Sequence, residues 1–251
     1  MEKMVPVQRV LQRVDEAYSH NHYEEAEKIL LYWVDEAKQM DDKRGLLSLY
    51  NELMGHYRKT ANEEKAEECA QNALELIETQ QIEETVSAAT IFINCATVKT
   101  AFSKWEEAMP LFENAKGIYE AQLDSTDEKL GSLYNNMATA LKNAKRYDEA
   151  IENYEKAIEI MKHIPDGELE QAITYLNLAN LKEAQLGLEE ACGIINEYLE
   201  KAQKLLDTPT LSKNGYYAFV CDKCAPGFDY YGFFAYAEEL RERVQYIYER
   251  D

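Results

Sequence analysis

One residue recurs through the whole chain. Alanines at 26, 66, 108, 150, 191 and 237 are separated by 40, 42, 42, 41 and 46 residues. Four of them end the same short phrase: Tyr23-Glu-Glu-Ala26, Trp105-Glu-Glu-Ala108, Tyr147-Asp-Glu-Ala150 and Leu188-Glu-Glu-Ala191. A chain that repeats itself at such a period must fold as a stack of like units. A second column, Tyr50, Phe92, Tyr134 and Tyr175, lies sixteen residues before four of the alanines. Three residues further on come Leu53, Cys95, Met137 and Leu178, and then Met54, Ala96, Ala138 and Ala179. Past the alanine, Phe112, Tyr154 and Ile195 stand four residues on, and Ala115 and Ala157 three more. Steps of three, four and seven keep side chains on one face of a helix. Each unit therefore reads as a helical hairpin. Small residues let its helices approach closely and aromatics fill the space around them. One hairpin cannot cover its own apolar face, so neighbours must stack.

With 10 Gly and 5 Pro in 251 residues, the chain has little turn punctuation. That suits long helices joined by short loops. A break falls midway in each unit, as at Asn143-Ala-Lys-Arg-Tyr147. Ser125-Thr-Asp-Glu128 predicts a capping box, and Thr208-Pro209 an N-cap with proline at the first helical position. Pro226-Gly227 is expected to end its helix early. The units run roughly over residues 4–42, 43–83, 84–125, 126–165, 166–207 and 208–251, with the last as an atypical cap. The expectation is one all-α solenoid domain over residues 1–251, with six hairpins and about twelve helices.

These residues resemble the tetratricopeptide repeat (TPR). Its pattern of aromatic, Leu, Gly/Ala, aromatic, Ala, Phe/Tyr and Ala fits the fourth unit best, at Tyr134, Met137, Ala138, Tyr147, Ala150, Tyr154 and Ala157. The usual TPR period is about 34 residues. The longer period here is similar to the repeats of kinesin light chains and of bacterial peptide-sensing TPR regulators. HEAT and armadillo repeats share the period but lack the motif. The resemblance covers units two to five well, with unit one weaker and unit six furthest from the pattern. It implies a right-handed α-α superhelix whose first helices line the concave side.

Forty-seven Asp and Glu against 27 Lys and Arg give −20 at pH 7. That charge disfavours nucleic acid and anionic membrane surfaces as partners. No run of 18 apolar residues is present to span a bilayer. The opening residues lack the uninterrupted apolar core of a secretory signal. Five scattered cysteines suit a reducing compartment, and a cytoplasmic location is expected.

Counted from the aromatic column, four sets of positions fall on the inner side implied by the resemblance. One residue on are Asn51, Ile93, Asn135 and Leu176, and two on are Glu52, Asn94, Asn136 and Asn177. Five on are Gly55, Thr97, Thr139 and Asn180, and eight on are Arg58, Thr100, Lys142 and Glu183. Asparagine disfavours helix interiors, so Asn94, Asn136 and Asn177 in register call for a reason. An amide offers donor and acceptor together. In peptide-binding TPR proteins the matching asparagines hold the backbone of an extended peptide, and the resemblance implies that role here. The other reading is that they cap or bridge neighbouring helices and bind nothing. Thr97, Thr139, Asn180, Asn51, Asn135 and Lys142 complete the candidate groove. Lys99, Lys142, Lys182, Arg58 and Lys59 either attract an acidic segment or merely solubilise helix ends. The acidic residues are left to the second helices. Carboxylate-clamp TPR proteins need cations where this chain has Ser48, Thr90 and Ser132, which argues against that partner class.

Residues 214–236 form the most aromatic stretch and contain Cys221-x-x-Cys224. Zinc needs four ligands, and no second cysteine pair exists. Counting back from Ala237 puts Cys221 in the aromatic slot and Cys224 in the leucine slot, facing the core. The remaining aromatics either cap the solenoid or form a homodimer contact. His20-x-His22 reads as a polar turn. No HExxH, GxSxG, Walker or GxGxxG motif is present, and no metal or other cofactor is expected. The sequence thus points to a non-enzymatic scaffold for a peptide or protein segment. The alternative is a peptide-responsive regulator acting on an effector in trans.

Overall fold

A computed structural model describes residues 4–250. Among them are twelve α-helices and no strand. They pair as α1 (Val7–Ser19) with α2 (Tyr23–Gln39), α3 (Lys43–Lys59) with α4 (Glu63–Gln80), and α5 (Val86–Ala101) with α6 (Trp105–Gln122). Then follow α7 (Glu128–Asn143) with α8 (Tyr147–Met161), α9 (Glu168–Leu186) with α10 (Leu188–Leu206), and α11 (Gly215–Tyr230) with α12 (Phe234–Arg250). The chain divides into two compact units of three hairpins each, Met1–Gln122 and Leu123–Asp251.

The alanine column sits where each pair of helices comes closest. All six alanines have 0% exposure, so a side chain larger than methyl would part the helices. Leu53, Cys95, Met137 and Leu178 are buried, as are Met54, Ala96, Ala138 and Ala179. Phe112, Tyr154 and Ile195 fill the adjoining slot. Each such large side chain contributes about 1.5–3 kcal/mol of burial.

A single left-handed residue closes five of the six hairpins, always five positions before the column alanine. These are Asn21, Ala61, Ser103, Lys145 and Gly232. The next N–H reaches back to a carbonyl five residues earlier: His22 to Ala17 at 2.8 Å, Asn62 to Tyr57 at 2.8 Å, and Arg146 to Leu141 at 2.9 Å. That bond satisfies carbonyls at the end of the first helix. The fifth hairpin differs, because Gly187 alone separates α9 from α10.

Three local expectations are corrected. The cap of α7 is Asp127, whose side chain accepts from the Lys129 N–H, and not Ser125. Thr208-Pro209 lies in the loop after α10, and α11 starts later, capped by Asn214 accepting from the Tyr217 N–H. Helix α11 also runs straight through Pro226 and Gly227. Proline removes one hydrogen bond, to the carbonyl of Asp222. Pro226 and Asp222 are both exposed, while buried Cys224, Ala225 and Phe228 hold the helix on the core.

Candidate interaction surface

Within the first unit the first helices touch one another, α1 on α3 and α3 on α5. In the second unit α7 touches α9 and α9 touches α11. The second helices pack mainly onto first helices, so the first helices form the inner layer of each unit. Charge separates along the same division. In the first unit α1, α3 and α5 carry seven Lys/Arg and three Asp/Glu, whereas α2, α4 and α6 carry four and fifteen. In the second unit α7, α9 and α11 carry four Lys/Arg and six Asp/Glu, and α8, α10 and α12 carry six and thirteen. The acidity of the chain thus sits on the outer helices, as the column positions required.

Four of the candidate asparagines are joined in two pairs. Asn94 Nδ2 of α5 donates to Asn51 Oδ1 of α3. Asn177 Nδ2 of α9 donates to Asn135 Oδ1 of α7 at 3.3 Å, and Thr174 Oγ1 approaches the same oxygen at 3.2 Å. Each pair stitches adjacent first helices. An amide has two N–H groups and two lone pairs, so every pair keeps capacity for a ligand. Asn136 is half-buried and its amide has no protein partner among the described residues. Thr97 and Thr139 turn back on their own helices, to the carbonyls of Ile93 at 2.7 Å and Asn135 at 3.1 Å. Thr139 also meets the Tyr154 hydroxyl at 3.1 Å. Lys142 donates to Asn180 Oδ1 across α7 and α9, and burial holds its ammonium below the usual lysine range.

Two surfaces on the inner layers were not picked out from the sequence. In the first unit α1, α3, α5 and the end of α4 line a cleft of about 680 Å³, with Leu11, Arg44, Leu47, Asn51, Glu52, Ile77 and Ile91 among its residues. Burial, with Asp15 nearby, raises the Glu52 carboxyl above its ordinary value. In the second unit Tyr216 and Phe219 stack at 6.2 Å, each 47% exposed, with Lys223 Nζ 6.0 Å from the Phe219 ring. The signal for both was register: Ser48, Thr90 and Phe219 share one column, two residues before the aromatic slot. Cys221 and Cys224 are buried in the core, and burial pushes the Cys224 thiol up to about 12.

Residues 129–204 match the family model of the tetratricopeptide repeat. The match covers the fourth and fifth hairpins, α7 to α10. No curated protein matches its sequence. Among solved structures it is similar to BtubC (BKLC) from P. vanneervenii, with a TM-score of 0.67 and 19% identity over 82% of this chain and 83% of that one. It is also similar to a Podosopora anserina protein described as a kinesin light chain with nearly identical TPR-like repeats. That match has a TM-score of 0.54 and 19% identity over 80% and 94% of the two chains. These likenesses show the fold, an all-α solenoid of stacked helical hairpins. Stacked helical hairpins of this kind present extended surfaces along their inner layers. No helix among the described residues is long and apolar enough to cross a membrane.

Proposed function

We propose that this chain is a non-enzymatic TPR scaffold that holds an extended segment of a partner protein on the first-helix layers. The observation that carries the reading is the division of charge. The outer helices are dense in carboxylates, while the inner layers are grooved and near neutral or basic. Clefts with few charges desolvate at low cost, and oriented amides such as Asn136 supply backbone recognition without demanding a particular side chain. The paired asparagines contribute by fixing the spacing of the first helices.

Capture of a partner by the tagged full chain, followed by cross-linking and mass spectrometry, tests this. Cross-links are expected on α1, α3 and α5 or on α7, α9 and α11. Leu47→Glu combined with Asn136→Arg should abolish capture with the helical signal intact, and Glu152→Lys on the outer face should not. Cross-links confined to the second helices would overturn the reading.

A further inference from the structure

We propose that the cleft of the first unit accepts an extended, ampholytic segment: an acidic residue against Arg44, an aliphatic residue against its apolar lining and a basic residue against Glu52. This deepens the scaffold reading above and rests on it. Arg44 stands in the first turn of α3 and Glu52 eight residues later, and both line the same cleft. At 1.5 Å per residue they lie about 12 Å apart along the helix. An extended chain covers about that distance in four residues. The same cleft is lined by the apolar Leu11, Leu47 and Ile91, from α1, α3 and α5. The Arg44 guanidinium has no carboxylate partner among the described residues. Glu52 likewise has no ion pair there; Asn51 hydrogen-bonds its carboxyl, the like charge of Asp15 acts on it, and Lys59 opposes that only in part. A half-buried carboxylate without a counter-ion favours an incoming cation. A purely acidic segment meets repulsion at Glu52, and a purely basic one meets it at Arg44.

Fluorescence anisotropy with the full chain and four labelled peptides tests the assignment. Their cores are Asp-Ala-Leu-Ala-Lys, its reverse Lys-Ala-Leu-Ala-Asp, the diacidic Asp-Ala-Leu-Ala-Asp and the dibasic Lys-Ala-Leu-Ala-Lys. One ampholytic peptide should bind about tenfold tighter than the diacidic and dibasic ones. Glu52→Lys should transfer preference to the diacidic peptide, and Arg44→Glu to the dibasic one. Circular dichroism checks that both variants fold. Equal binding of diacidic and ampholytic peptides by the native protein, an unchanged ranking in Glu52→Lys, or no binding of any peptide would overturn the ligand class. Cross-links of a captured partner to the first-helix layer would in each case leave the scaffold reading standing, so the two failures are distinguishable.

Discussion

The two units share a skeleton and differ in what they present. Each has three hairpins, a fully buried alanine between every pair of helices, and one asparagine pair stitching adjacent first helices. The inner layer of the first is net basic and carries a cleft lined by Leu11, Leu47 and Ile91. That of the second is slightly acidic and carries an aromatic stack with a lysine over it. The fold depends on the columns that face between helices. The inner positions are free to vary, and they do. Stability should therefore respond alike in the two units at matched columns, while recognition and pH response should not.

The largest effect is expected at the slot four residues after the alanine. Phe112 in the first unit and Tyr154 in the second are both completely buried. Phe112→Ala and Tyr154→Ala should each cost about 3–5 kcal/mol, from lost burial and the cavity left behind. The conservative Tyr154→Phe isolates the hydroxyl, which meets Thr139, and should cost about 1 kcal/mol. Urea unfolding, with hydrogen exchange read separately over residues 4–122 and 123–250, measures all three. A difference of several kcal/mol between the two alanine variants would break the equivalence of the slots.

Next come the stitches. Asn94→Ala and Asn177→Ala should each cost about 1 kcal/mol. Double-mutant cycles with Asn51 and Asn135 should return coupling in both units. Additive cycles would mean that the amide pairs add nothing and that the asparagines stand there for a ligand alone.

Periodicity made the skeleton legible. The columns of Ala26, Leu53, Met54 and Phe112 are buried in every hairpin that carries them, and Cys221 and Cys224 are buried with them, because stacking imposes the same environment on the same position of each repeat. Local punctuation was legible only in part. Asp127 competes with Ser125 as a cap, and Pro226 is tolerated because the face it occupies is exposed; both outcomes are decided by packing that a short sequence window does not contain. The asparagine register was visible, but not its pairing. The bond runs from the second position after one aromatic to the first position after the previous one, so it depends on how far neighbouring helices are shifted. The cleft is harder still to see, because it is assembled from four helices.

The smallest effect expected separates the units by pH. His56 stands six residues after Tyr50, in the column held by Val98, Ala140 and Leu181 in later hairpins, and it is 3% exposed. Its Nδ1 lies 3.0 Å from the Tyr18 hydroxyl of α1, and the two rings stack at 6.0 Å. Burial holds the imidazole below its ordinary value; Glu27 opposes the shift, and Lys65 and Lys59 add to it. The folded state thus keeps His56 neutral at a pH where the unfolded chain already takes up a proton, near 6.5. The stability tied to this group is complete above that value and falls away as the pH drops towards the depressed folded pKa. The second unit buries no histidine: its His163 side chain is mostly exposed. Hydrogen exchange at about pH 7.5 and about pH 5.5, corrected for intrinsic rates, should show protection lost in α1 and α3 but not in α7 and α9. His56→Val restores the residue type of the column and should remove the pH dependence of the first unit. Retention of that dependence in the variant would place its origin outside His56, in the carboxylates that both units share.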